Sequence, residues 1–234
     1  MKKILKNIRK DLTTHVDIPY KKGAIRFFTE PIKIYGVRTP LVRKIAQKYW
    51  LKIKDTDKKT IFALCEELLK SNYNEEATIA FSFAKKLEKG YTPADFQVFE
   101  KWVRKYLTNW AMVDDFTTHA LGALIYKYPI LLPKVFLWTK SNNMWVRRAS
   151  AVTLIHFAKK KQWQKEYFLT ADALLSDKED LVQKGYGWML KEVGNHFEDK
   201  VFEYILKNKN KMTRTALRYA IEKMPKDKKT QAMN

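Results

Sequence analysis

Apolar helix-like runs recur in this chain about every 35 residues, and that period restricts the fold more than any other feature. They begin near Glu75, Trp110, Trp145, Val182 and Met212, at spacings of 35, 35, 37 and 30 residues. Three segments carry a tryptophan at or near the start of such a run: Asn109-Trp110-Ala111-Met112-Val113-Asp114-Asp115, Met144-Trp145-Val146-Arg147-Arg148-Ala149 and Gln183-Lys184-Gly185-Tyr186-Gly187-Trp188. Trp110 and Trp145 are 35 residues apart, and Arg148 and Lys184 are 36 apart. Each run is preceded by another amphipathic stretch, such as Leu131 to Thr139 before Trp145. Stacked helical hairpins have this period, and equivalent positions in them line one concave face. The expected fold is an all-α, HEAT-like helical-repeat solenoid with a concave basic groove. It is read as a single domain over 1–234, with 225–234 as a frayed tail.

Local signals agree with helix. The chain has only seven Gly and seven Pro, mostly between periodic segments. Thr39 reads as an N-cap and Pro40 as the first residue of a helix to Leu51. Glu75 to Lys89 places acids in its first turn, and Tyr91-Thr92-Pro93-Ala94-Asp95 opens a helix through Tyr106. Ala151, Leu154, Ile155 and Ala158 form an inward stripe, with Trp145, Arg148 and Val152 on a different face. Ile32 to Val37 alternates like a strand but is too short to set the fold class.

Charge narrows the partner. With 46 Lys+Arg against 25 Asp+Glu, the net charge is +21, which points to a polyanion. Between Phe116 and Lys165 there are nine basic residues and no acid, so the charge forms a patch. Nucleic acid fits this better than a membrane surface. Cys65 is the one cysteine, which excludes an intramolecular disulfide and suits a reducing compartment. In its apolar surroundings it reads as a buried structural thiol. His15, His119, His156 and His196 lack metal-ligand spacing, and no phosphate-binding or dinucleotide fingerprint occurs, so neither metal nor cofactor is expected. A monomer in the cytoplasm, not associated with membrane, is the expected setting.

Trp110 and Asp114 are four residues apart and share a helical face. In a nucleic-acid site the indole packs on a base or sugar, and the carboxylate stabilises positive charge at a reacting sugar or positions a water. A short W-x-x-x-D pattern equally describes a core tryptophan and an acid bonded to nearby backbone or arginine. Arg148 suits a phosphate or a pairing with Asp114; Arg147 points about 100° away on the helix. Gly185 and Gly187 each cost a helix roughly 1 kcal/mol relative to Ala, so something approaches that backbone closely: a neighbouring helix or a nucleic-acid strand. Lys184 then faces phosphates one turn before Trp188.

Taken in order with Tyr35-Gly36-Val37-Arg38-Thr39-Pro40, these three segments resemble the AlkD-like DNA alkylation-repair proteins, the bacterial HEAT-repeat DNA glycosylases. The resemblance runs from about Ile25 to Met224. It implies hydrolysis of the N-glycosidic bond of N3- or N7-alkylated purines in double-stranded DNA held by its phosphate backbone. It also implies that Asp114 is the catalytic carboxylate, Trp110 and Trp188 the groove tryptophans, and Arg148 the phosphate contact. A cationic alkylated base leaves readily, so stabilising the sugar oxocarbenium suffices and no closed base-flipping pocket is implied. Counting back from Gly36 places a third family aromatic, a tyrosine, on Phe27, where the hydroxyl is missing. Paralogues that bind branched DNA without excising bases offer a second reading, and a protein-interaction scaffold a third.

Overall fold

The structure is a computed structural model that describes residues 1–234. It is an all-α helical repeat, and its one β-bridge, Lys33 with Tyr73, is isolated. The Ile32 to Val37 alternation therefore does not become a strand. The chain packs as two compact units, Met1–Ala120 and Leu121–Asn234. Unit 1 contains α1 (Lys2–Thr14), α2 (Ile18–Ile25), α3 (Thr39–Ile53), α4 (Lys58–Leu69), α5 (Asn74–Lys86), α6 (Asp95–Tyr106) and α7 (Trp110–Phe116). Unit 2 contains α8 (Gly122–Lys127), α9 (Leu132–Leu137), α10 (Met144–Lys159), α11 (Glu166–Leu174), α12 (Asp180–Gly194), α13 (Glu198–Asn208), α14 (Arg214–Ile221) and α15 (Lys226–Met233). No single helix is long and apolar enough to cross a membrane.

The repeat is visible in the helix starts. Helices α5, α7, α10, α12 and α14 begin at 74, 110, 144, 180 and 214, separated by 36, 34, 36 and 34 residues. Short polar side chains set several of these starts. Asn109 accepts the Met112 amide, Asn143 that of Trp145 and Thr213 that of Ala216. Asn109 Nδ2 also donates to Asn74 Oδ1 at 2.8 Å, tying the start of α7 to that of α5.

In unit 1, α5 packs against α3, α4 and α7, and Phe81, Phe99, Trp102 and Phe116 form an aromatic core. Two buried acids on the first turn of α5 organise its surroundings. Glu75 accepts the amides of Tyr35, Gly36 and Val37, which accounts for the Tyr-Gly-Val segment structurally. Gly36 has φ +97°, a conformation that favours glycine, and a Cβ there would lie 2.6 Å from that of Lys21. Glu76 takes the Tyr35 hydroxyl at 2.7 Å and the Arg9 guanidinium at 3.0 Å. Burial and that hydrogen bond push the Tyr35 phenol well above its ordinary range. Cys65 is buried with its thiol pushed upward by desolvation, as a structural thiol should be.

In unit 2, α10 packs on α12, and α12 on α14. Helix α10 corrects the expected single stripe: Trp145, Arg148 and Val152 are buried as well as Ala151, Leu154, Ile155 and Ala158. Two other expectations also change. Helix α3 starts at Thr39, because the Arg38 carbonyl accepts the Leu41 and Val42 amides and so makes Arg38 the N-cap. Residues 226–233 are helical, where 225–234 was expected to fray. Lys228 pairs with Glu198 and Asp199 at 2.7 and 2.8 Å, and Ala232 is buried.

Candidate functional site

Helix α7 carries the tryptophan and the acid in unit 1. Met112, Val113 and Phe116 face the core, while Trp110 and Asp114 stay half-buried one turn apart on the other side. Beyond them a π-helical turn, Thr117–Leu121, continues the chain, and the Thr118 hydroxyl donates to the Asp114 carbonyl at 2.7 Å. Asp115 lies 3.3 Å from His119 Nδ1, so its carboxylate has a partner on the surface. The Trp110 indole stacks on Phe28, with centroids 5.0 Å apart and planes at 18°. Both rings line an apolar cavity, and Phe27 stands on its wall, 77 % exposed. Asp114 lies outside that lining.

The remaining site residues lie in unit 2, on α10 and α12. The two arginines of α10 have separate duties, as their angular separation predicts. Arg147 grips Asp177 at 2.6 Å and donates to the carbonyls of Ser141 and Asn142. The hydrogen bond to Asp177 raises its already high pKa. Arg148 is 5 % exposed, and its Nη1 donates to the Leu181 carbonyl on α12.

The close approach required by the two glycines is made by helices. A Cβ on Gly185 would meet Arg148 Cγ at 3.2 Å. On Gly187 it would meet the Ala216 carbonyl oxygen at 2.7 Å and Tyr219 Cβ at 2.8 Å, both on α14. Trp188 is half-buried, and its Nε1 donates to Glu192 at 3.1 Å. Lys184 pairs with Asp180 at 2.7 Å.

Sequence reading therefore missed Phe28 beside Trp110, Glu192 beside Trp188 and Asp180 beside Lys184. The last two are i, i+4 pairs and were detectable as such. Phe28 joins Trp110 only through the folding of α2, so no local signal existed. The histidines serve locally: His15 Nδ1 is 2.7 Å from the Asp11 carbonyl, and His156 packs against the Tyr126 ring. No cluster of three or more His, Cys, Asp or Glu is placed to hold a metal.

Positive charge is shared between the units. Unit 1 has 24 basic and 14 acidic residues, and unit 2 has 22 and 11. In the acid-free stretch the seven lysines are all exposed. Its two arginines, by contrast, are engaged inside the protein.

Comparison with known proteins identifies the lineage. No curated protein matches the chain. A solved structure from Enterococcus faecalis, described as a predicted DNA alkylation repair enzyme, superposes with a TM-score of 0.79 at 17 % identity. The match covers 91 % of this chain and 98 % of that one, and shows the shared fold. The family model for DNA alkylation repair enzymes matches residues 8–224, nearly the whole chain. The helical repeat, the positive charge and this match together place the chain in the DNA alkylation repair enzyme family.

Proposed function

We propose that this protein is a DNA glycosylase that hydrolyses the N-glycosidic bond of N3- or N7-alkylated purines in duplex DNA. Asp114 stabilises the sugar oxocarbenium or positions the attacking water. Trp110 and Trp188 support the lesion nucleotide, Phe27 adds an aromatic surface, and Arg148 and Lys184 contact flanking phosphates. The basic surface of the HEAT-like repeat holds the duplex by its backbone. No general acid on the base is required, because an N3- or N7-alkylated purine departs from a cationic state.

One observation carries the reading. The capped helix α7 keeps an indole and a carboxylate half-exposed on one face while Met112, Val113 and Phe116 enter the core. Family membership and the charge of +21 support DNA as the partner.

Release of 7-methylguanine or 3-methyladenine from methylated duplex is the test. Asp114→Asn should keep DNA affinity and slow release by about a hundredfold or more. Equal release by the variant removes Asp114 from the mechanism. No release by the natural chain, with tighter binding to junctions than to linear duplex, supports the non-enzymatic DNA binder instead. Weak binding that is insensitive to salt points to a protein scaffold, because each phosphate contact contributes about 0.9 to the slope of log affinity on log salt.

A further inference from the structure

Beside α2, unit 1 holds a cavity of about 490 Å³ that is half open to solvent. Sites for small organic molecules have this size and this kind of mostly apolar wall. Five aromatic side chains line it: Tyr20, Phe27, Phe28, Phe81 and Trp110. Glu75 is the one charged residue in the lining, and its carboxylate already accepts three backbone amides, from Tyr35, Gly36 and Val37. The wall therefore offers ring faces and a few hydroxyls, with its single charge already engaged by backbone.

Gly23 gives the cavity its second peculiarity. It lies inside α2, where glycine costs a helix about 1 kcal/mol relative to alanine. At Gly185 and Gly187 a packed neighbour explains the missing side chain, whereas a Cβ at Gly23 would meet nothing within 4 Å. The omission leaves open space on the cavity wall. Helix α2 itself buries no side chain and is tethered at its start by Asp17. That residue caps Tyr20 at 2.9 Å, pairs with Arg38 at 2.9 Å and donates its own amide to the Gly36 carbonyl.

We infer that this cavity is a binding site for a neutral, planar aromatic molecule of fused-ring size. Its guest stacks among the rings of the wall and touches Trp110. The cavity shares Phe27 and Trp110 with the proposed lesion surface but not Asp114, and its test uses the full chain without DNA, so either reading can fail alone.

N-phenyl-1-naphthylamine, an uncharged probe that brightens in apolar surroundings, is titrated into the protein. Saturable brightening with one probe per chain is expected, reversed by naphthalene and not by adenine. Gly23→Leu fills the wall from the α2 side and Thr78→Leu from α5. Each should weaken the probe by about tenfold or more. Circular dichroism melts establish that the variants fold, and a variant that melts early yields to the other. Absence of saturable binding overturns the proposal, as does undiminished affinity in a folded variant. Displacement by adenine in preference to naphthalene overturns the apolar class.

Discussion

In unit 1, α7 keeps Trp110 and Asp114 half-exposed, one turn apart, with an apolar cavity beside the indole. In unit 2, Arg148 and Gly185 meet between α10 and α12, and Gly187 seats α12 against α14. These segments occupy equivalent places in the repeat and look alike in sequence. The first leaves its polar atoms near solvent; the second uses them to seat one helix on the next. A repeat thus reuses one position for two purposes, and a motif residue can belong to the site, to the packing that holds it, or to both. Arg148 is the instructive case. Its guanidinium braces α12, so any phosphate it contacts is held by a side chain already immobilised, which lowers the entropy cost of binding.

Substitutions at the two glycines break or sharpen this contrast. Gly187→Ala should have the largest effect on stability. Its new methyl meets a backbone carbonyl on α14 at 2.7 Å, which a side-chain rotation cannot relieve. Even after the gain in helix propensity we expect a net loss of about 2 kcal/mol, seen as a fall in Tm of roughly 4–8 °C. An unchanged melt would show that α12 and α14 are less tightly seated than described.

Acid should act on unit 1 through its paired carboxylates. Asp11 is held by Lys48 at 2.6 Å and Tyr49 at 3.0 Å, and Glu66 by Lys101 at 2.5 Å and Tyr106 at 2.7 Å. Burial opposes ionisation in both, yet the hydrogen bonds prevail and hold each carboxyl below its ordinary value. The Tyr106 phenol moves the other way, to about 12, through burial and the same Glu66. A depressed carboxyl contributes its stability above the unfolded values, 3.8 for Asp11 and 4.5 for Glu66, and loses it as pH falls through the folded ones. Solvent screens both pairs, so the loss is small. Melts between about pH 5 and about pH 3 should show that loss, and Asp11→Asn with Glu66→Gln should flatten it. An unflattened profile assigns the acid sensitivity elsewhere.

The smallest effect is expected at Gly185→Ala. Its methyl meets Arg148 Cγ at 3.2 Å and no backbone atom that closely, so a side-chain shift of a few tenths of an ångström suffices. The helix-propensity gain of about 1 kcal/mol offsets that shift, leaving a net change within about 0.5 kcal/mol. Urea unfolding of the two glycine variants side by side measures the difference directly. Equal losses would erase the distinction between a backbone neighbour and a side-chain neighbour.

The helical repeat was legible from spacing alone. Expected starts at 75, 110, 145, 182 and 212 meet observed starts at 74, 110, 144, 180 and 214. The separate duties of Arg147 and Arg148 were legible too, since 100° per residue sends adjacent side chains in different directions. The two glycines announced a close approach but not its maker. Nothing local announced that Glu75 and Glu76 would gather residues 35–37 and Arg9, because those partners lie 38 to 67 positions away. Separation likewise hid Phe28 from Trp110, 82 positions on, and Glu198 from Lys228, 30 positions on.

The amino-acid sequence by itself determined the helices, their period, their caps and the excess of positive charge. All of these follow from interactions within a few residues or from simple counting. Only the tertiary structure decided which buried acid meets which backbone amide, which helix lies against each glycine, and where a cavity stays open. Those outcomes depend on how closely separate helices approach, and a difference of an ångström between them turns a contact into a clash or a void.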